Sequence, residues 1–143
     1  MMAFLDSSSL LKLYHFEKDS SMLENYLETN IEELVLSELT FIEFRSAIWR
    51  KVRMKEIDQE LANKVITYFD DDFDSYKWIK MNSEIIKTAA GLLMKYGAKG
   101  LRTLDSLQFA SALYLKNQSC IFFTADKLLN TLFMEEKLEV VNF

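Results

Sequence analysis

The stretch AFLDSSSLLKLYHFE, residues 3–17, passes from an apolar run (Ala3 to Leu5) through Asp6 and three serines to the helically spaced Leu10, Leu13 and Tyr14. This is strand, cap and helix in succession. ELVLSELTFIEFRSAIWRKVRMK, residues 33–55, repeats the pattern: Leu34 to Leu36 form a brief strand, Ser37 can cap, and a long helix runs to about Lys55. Between and beyond them, helices are predicted over 20–29, 58–69 and 82–96, with Asn82 as N-cap and Gly97 in the left-handed position that ends a helix. YKWIKM (76–81) alternates like a strand, LRTLDSLQFASALYL (101–115) reads as a helix capped by Thr103, and CIFFT (120–124) is a buried strand. Asp126 opens a short helix to about Phe133, and LEVVNF (138–143) closes as a last strand. Strands alternating with helices predict an α/β fold: a mostly parallel sheet of about five strands, covered on both faces. In such sheets ligand chemistry lies at the carboxyl ends of the strands.

Composition bounds the function. The chain has 143 residues, half of them hydrophobic, enough for one sizeable core and too few for two ordinary domains. A single domain spanning 1–143 is expected, without repeats, low-complexity segments or a linker. No apolar run approaches the ~20 residues of a membrane span, and MMAFLDSSS has neither the basic nor the apolar region of a signal peptide, so a cytoplasmic protein is expected. Cys120 is the only cysteine, and its apolar setting makes it a core residue. A net charge of −5 argues against a protein that coats nucleic acid through a general basic field. Three glycines and no proline leave no room for a P-loop or a GxGxxG turn. The acidic run Asp70, Asp71, Asp72 and Asp74 reads as a solvated helix end.

Four acids fall where an α/β site would be. Asp6 ends the first strand, Asp126 follows CIFFT, and Asp105 lies in the first turn of an otherwise apolar helix, on one face with Leu101, Phe109 and Ala112. Glu43 lies inside a helix on a face with Leu39 and Ala47. Singly, each has a plain structural role: Asp6 and Asp126 as N-caps worth ~1 kcal/mol, Asp105 as a first-turn acid, Glu43 as a partner of Arg50 or Lys51. Together they are a different matter. Two carboxylates ~4 Å apart repel by ~4 kcal/mol at a surface-like dielectric, more than caps and dipoles return, so a cation must join them if they meet. His15 stands alone, and an oxygen-only set without a second histidine or a thiolate suits Mg²⁺ or Mn²⁺. Such ions activate water and clamp a scissile phosphate. The class of reaction is phosphodiester hydrolysis.

With these pieces in hand, the sequence resembles the PIN-domain ribonucleases, and among them the VapC-like toxins of type II toxin–antitoxin pairs. FLDSSSLLKLY carries the first acid, LSELTFIEFRSAIWRK the second, LRTLDSLQFASAL the third and FFTADKLL the fourth, in family order across essentially the whole chain. The resemblance implies a three-layer α/β/α sandwich, a Mg²⁺ or Mn²⁺ site and endonucleolytic cleavage of RNA. It maps metal binding and catalysis onto Asp6, Asp105, Glu43 and Asp126, with Thr124 and Ser7 in support. Two positions depart from the commonest pattern: Gln108 stands where many relatives have histidine, and YHFEKDSS lacks a proline after the first helix.

These readings converge on a metal-dependent endoribonuclease that leaves a 5′-phosphate and a 3′-hydroxyl. Lys12, Arg45, Arg50 and Arg102 are candidate RNA contacts, against the alternative of ordinary solvated helix faces. Tyr14, Trp49 and Trp78 could stack on bases, with core packing favoured for both tryptophans. A toxin would be paired with a small antitoxin offering a basic side chain to the acids and an apolar segment to the outer helices, and exposed apolar surface leaves room for a homodimer. The alternatives are a solitary PIN-domain nuclease in RNA processing or acting on DNA, and a non-catalytic PIN-like binding module. Two phosphotransfer folds fit worse, since Ser8 stands where a haloacid-dehalogenase-like phosphatase wants its second aspartate, and Lys80 to Asn82 where a receiver domain wants its phospho-acceptor.

Overall fold

The computed structural model describes residues 1–143. Four strands are present: β1 (Met2–Leu5), β2 (Glu33–Ser37), β3 (Lys77–Ile79) and β4 (Cys120–Phe123). All pair in parallel, in the order β3-β2-β1-β4. Helices α1 (Ser7–Tyr14) and α2 (Ser20–Asn30) join β1 to β2, and α3 (Leu39–Arg53) and α4 (Gln59–Asp71) join β2 to β3. The chain then returns to the far side of β1 through α5 (Ser83–Tyr96) and α6 (Thr103–Tyr114), and α7 (Lys127–Glu135) follows β4.

That order accounts for the layers. Parallel crossovers are right-handed, so steps in one direction place their helices on one face and the return step on the other. The strand residues divide by alternation: Ala3, Leu5, Leu36, Ile121 and Phe123 pack with helices α1 to α4, and Phe4, Val35, Cys120 and Phe122 with α5 to α7. The result is the expected α/β/α sandwich. Phe69 centres an aromatic cluster in the first layer, touching Tyr14, Phe41, Phe44, Tyr76 and Trp78. Cys120 is buried, and burial pushes its thiol up to about 11. Tyr14 and Trp78 lie in this cluster and Trp49 packs at its edge, so these rings serve the core.

Several expectations differ in detail. The closing strand is reduced to one bridge, Phe122 to Val140, where the Phe122 N–H donates to Glu139 O and the Val141 N–H to Phe122 O. Gly97 is right-handed (φ −56°) and begins a tight 3-10 turn, and Gly100 takes the left-handed conformation at φ 107°. Thr103 begins α6 inside its first turn, with Arg102 in the cap position and no side-chain cap. Nor is the acidic run simply solvated. Asp70 pairs with Arg45, and Asp72 accepts from the Tyr14 hydroxyl at 2.7 Å. No helix is long and apolar enough to cross a membrane.

Candidate active site

Chain order reverses at β1, whose neighbours β2 and β4 belong to opposite halves of the winding. The carboxyl end of β1 is therefore the switch point at which an open parallel sheet leaves a crevice. Asp6 lies there. It caps α1, its Oδ1 accepting from the Ser9 N–H at 2.9 Å and the Ser8 hydroxyl at 2.7 Å, and it is only 4% exposed. Burial pushes its carboxyl up to about 6, against the opposing pull of hydrogen bonds from Thr124, Ser8 and Ser9.

Asp126 faces it from the end of β4. It caps α7 by accepting from the Leu129 N–H at 2.7 Å, and its own N–H donates to the Thr124 hydroxyl at 3.1 Å. That hydroxyl donates in turn to Asp6 Oδ2, so one threonine ties the first acid to the turn that carries the fourth. Ser8 adds a second tie, donating to Asp6 and accepting from the Ala125 N–H at 2.9 Å. The capping role weighed for both aspartates is real, and it fixes their carboxylates in place. It does not explain why one of them is buried.

Glu43 approaches from α3, half-buried. It accepts from the Ser7 hydroxyl at 2.8 Å and from Gln108 Nε2 at 2.7 Å, and not from Arg50 or Lys51. Burial raises its carboxyl, those two bonds lower it, and the charge of Asp105 raises it again. Asp105, at the start of α6, receives no side-chain or backbone hydrogen bond. It too is raised, first by burial and then by Asp126, against a partial pull from Arg102. Asp105 thus stands within electrostatic reach of Glu43 on one side and Asp126 on the other, and Asp126 is bound through Thr124 to Asp6.

Gln108, the departure from the commonest pattern, lies one turn along α6 and is buried. Its Nε2 is within bonding distance of Ser7 Oγ (3.0 Å), Thr40 Oγ1 (2.9 Å) and Glu43 Oε1 (2.7 Å), and its Oε1 has no partner. Neither Ser8 nor Thr40 was read in the sequence as part of the site. The Ser8 contact with the Ala125 N–H and the Thr40 contact with Gln108 cross from one element to another, and spacing within an element carries no signal of them.

The cations separate. Arg102 is exposed beside Asp105, and Arg50 lines an open groove with Glu43. Arg45 is turned away, stacked 4.0 Å over the Phe41 ring and paired with Asp70. Lys12 donates to Lys18 O at 2.6 Å and faces Glu17 at 4.0 Å.

No three acidic, histidine or cysteine side chains converge closely enough to hold one ion as they stand. The chemistry of the donor set nevertheless fits a hard divalent cation. Every donor is an oxygen, Asp105 is wholly unpartnered, Gln108 Oε1 is an orphaned buried acceptor, and three of the four acids bind protons more tightly than usual. Negative charge here lacks a counter-ion, and a divalent ion would supply one.

A family model described as PIN domain matches residues 3–132. Solved structures share the fold. FitAcB from Neisseria gonorrhoeae aligns with a TM-score of 0.73 at 16% identity, covering 99% of this chain and 97% of that one. A toxin–antitoxin complex from Klebsiella pneumoniae aligns at 0.68 and 14% identity, covering 98% and 96%. VapC20 of Mycobacterium tuberculosis, described as a sarcin-ricin loop cleaving toxin, aligns at 0.67 and 12% identity, covering 91% and 94%. No curated protein sequence matches the chain.

Proposed function

Since the chain belongs to the PIN-domain family, we propose that it is a divalent-metal-dependent endoribonuclease acting as the toxin of a toxin–antitoxin pair. The observation that carries this reading is the Asp105 carboxylate, which has no hydrogen-bond or ion-pair partner and lies within electrostatic reach of Glu43 and of Asp126, itself tied through Thr124 to Asp6. In this reading Asp6 and Asp105 would hold a Mg²⁺ or Mn²⁺ ion, and Glu43 and Asp126 would complete the site or hold a second one. Such an ion would supply charge neutralisation at the scissile phosphate and a nucleophilic water at neutral pH.

The chain's own residues do the rest. Thr124 and Ser8 lock the Asp6 and Asp126 turns together, and Gln108 and Ser7 hold Glu43 from two sides. Arg102, next to Asp105, is placed to meet a phosphate oxygen beside the acids. Preorganisation of this kind leaves little to rearrange when the backbone of an RNA strand arrives.

The groove beside Glu43 supports the antitoxin. Leu11, Leu39, Ile42, Ala47, Met54 and Leu104 line a cavity of about 520 Å³ that reaches Glu43 itself. A partner's apolar segment lying there can extend a basic side chain to the acids. The protein is read as a single cytoplasmic domain, and a short neighbouring reading frame encoding a DNA-binding-like protein would support the toxin assignment over a solitary processing nuclease.

The test is cleavage of single-stranded RNA by purified protein with Mn²⁺, with and without EDTA, beside Asp6→Asn and Asp105→Asn. Cleavage to 5′-phosphate products that requires the ion and both aspartates is expected. Equal cleavage in EDTA or by either variant would overturn the reading.

A further inference from the structure

A second cavity, of about 540 Å³, opens on the opposite flank of the acids and shares Thr124 and Asp126 with them. The groove beside Glu43 also carries cations, Arg50, Lys51 and Arg53, but no aromatic side chain, and that is where the second cavity differs. Lys12, Lys18 and Lys127 line the second cavity, against Asp19 and Asp126. Lys12 is spent within the fold, anchoring the Lys18 carbonyl and facing Glu17. Lys18 and Lys127 are exposed and enter no ion pair and no side-chain hydrogen bond. Asp19 and Asp126 balance them in charge, so what Lys18 and Lys127 offer is two ammonium groups free for direct contact with phosphate oxygens.

The floor is aromatic. Phe143 stacks on Phe123, ring centroids 6.0 Å apart and planes 22° from parallel, and remains 47% exposed. Tyr26 meets both rings edge-on, which holds the platform in place. A π-face backed by two other rings and half-exposed, flanked by free cations, is what an unpaired base and its phosphates require. A cavity of this size accommodates a small organic ligand such as one nucleotide.

We infer that this cavity seats the nucleotide next to the scissile phosphate in a single-stranded RNA substrate, with its phosphates on Lys18 and Lys127 and its base on Phe143. The inference rests on the ribonuclease reading and adds to it the direction of the strand's path: away from the apolar groove, over the turn after β4. It also assigns phosphate contact to two lysines outside the cations singled out in the sequence. Duplex RNA does not fit, because its bases offer no free face to Phe143.

The test compares the wild type with Lys18→Gln/Lys127→Gln, which removes the two charges without adding carboxylates near the acids, and with Phe143→Leu, a substitution that keeps apolar bulk and removes the π-face. The measurements are KM and kcat on a single-stranded oligoribonucleotide over a salt series, and the thermal shift produced by Mn²⁺. For the double variant a roughly tenfold rise in KM is expected, with kcat nearly unchanged and a log–log salt slope shallower by about 1.4, the loss of two phosphate contacts on a single strand. Phe143→Leu should raise KM by roughly tenfold without changing the slope. The Mn²⁺ shift of both should match the wild type. If the wild type cleaves RNA and the double variant retains its KM and slope, or raises KM with the slope intact, the cavity is not the subsite. A wild type that cleaves no RNA with Mn²⁺ overturns the ribonuclease reading, and this inference with it.

Discussion

Asp6 combines two roles that pull in opposite directions. As the cap of α1 it satisfies the Ser9 N–H, and as a buried carboxylate it holds a charge that its surroundings only partly stabilise. Its folded value of about 6 lies above the ordinary 3.8, so folding takes up a proton. Stability from this group is full below pH ~3.8 and is lost as pH rises through about 6. At ~1.4 kcal/mol per tenfold change in proton affinity, keeping Asp6 ionised at pH 7 costs at most about 3 kcal/mol. Asp6→Asn keeps a good capping side chain and discards the charge. In EDTA at pH 7 the variant should therefore melt higher than the wild type and lose the wild type's fall in stability between pH 4 and 6, as followed by thermal denaturation across that range. A lower melting temperature would mean that the charge is better stabilised than its burial implies. Gln108 carries a related expectation: Gln108→Leu releases Glu43 and should weaken Mn²⁺ binding by about ten- to a hundredfold, read as a displaced Mn²⁺ midpoint in thermal shift.

At the scale of elements, stability and site are built in different places. Phe69 on α4 has its ring centroid 4.3 Å from that of Phe44 on α3 and contacts rings from α1 and β3, so one side chain ties three of the first layer's four helices to the sheet. Phe69→Ala should cost about 3–5 kcal/mol, measured by urea denaturation, and leave the Mn²⁺ response of the folded fraction intact. The helices were legible in the sequence because most bury one face, which imposes a period of about 3.6, and the strands because burial on both faces makes them short apolar runs. What was not legible depends on meetings between distant segments. The expected strand after Leu138 is one bridge long because its outcome turns on pairing with β4 and not on its own alternation. The four acids could be picked out by their strand-end or apolar-face positions. The long-range bonds that hold Glu43, from Ser7 and from Gln108, cross 36 and 65 residues of chain and leave no trace in local spacing.

For the whole molecule, the acids form a divide between two unlike surfaces. On the Glu43 side lies a groove with Ile42 67% and Leu104 51% exposed, and on the Asp126 side lies the lysine-rimmed cavity floored by Phe143. A nucleic-acid strand finds Arg50 and Arg53 for its phosphates in the first, but leucine, isoleucine and methionine where its bases need π-faces. A folded or folding peptide gains much, because apolar area removed from water contributes ~25 cal/mol per Å². An inhibitory protein can therefore reach the acids from one flank while the substrate approaches from the other, and the two compete only at the carboxylates themselves. Substitutions on the two flanks should then separate. Ile42→Asn/Leu104→Asn should abolish neutralisation by the proposed antitoxin, by placing polar amides against its apolar segment, and should leave RNA cleavage within about twofold of the wild type because the change adds no charge and neither residue touches the acids' hydrogen bonds. Growth after co-expression and cleavage by the purified variant measure the two effects. Loss of cleavage with neutralisation retained would mean that the groove belongs to the substrate, and the division of the molecule into a protein flank and a nucleic-acid flank would have to be reversed.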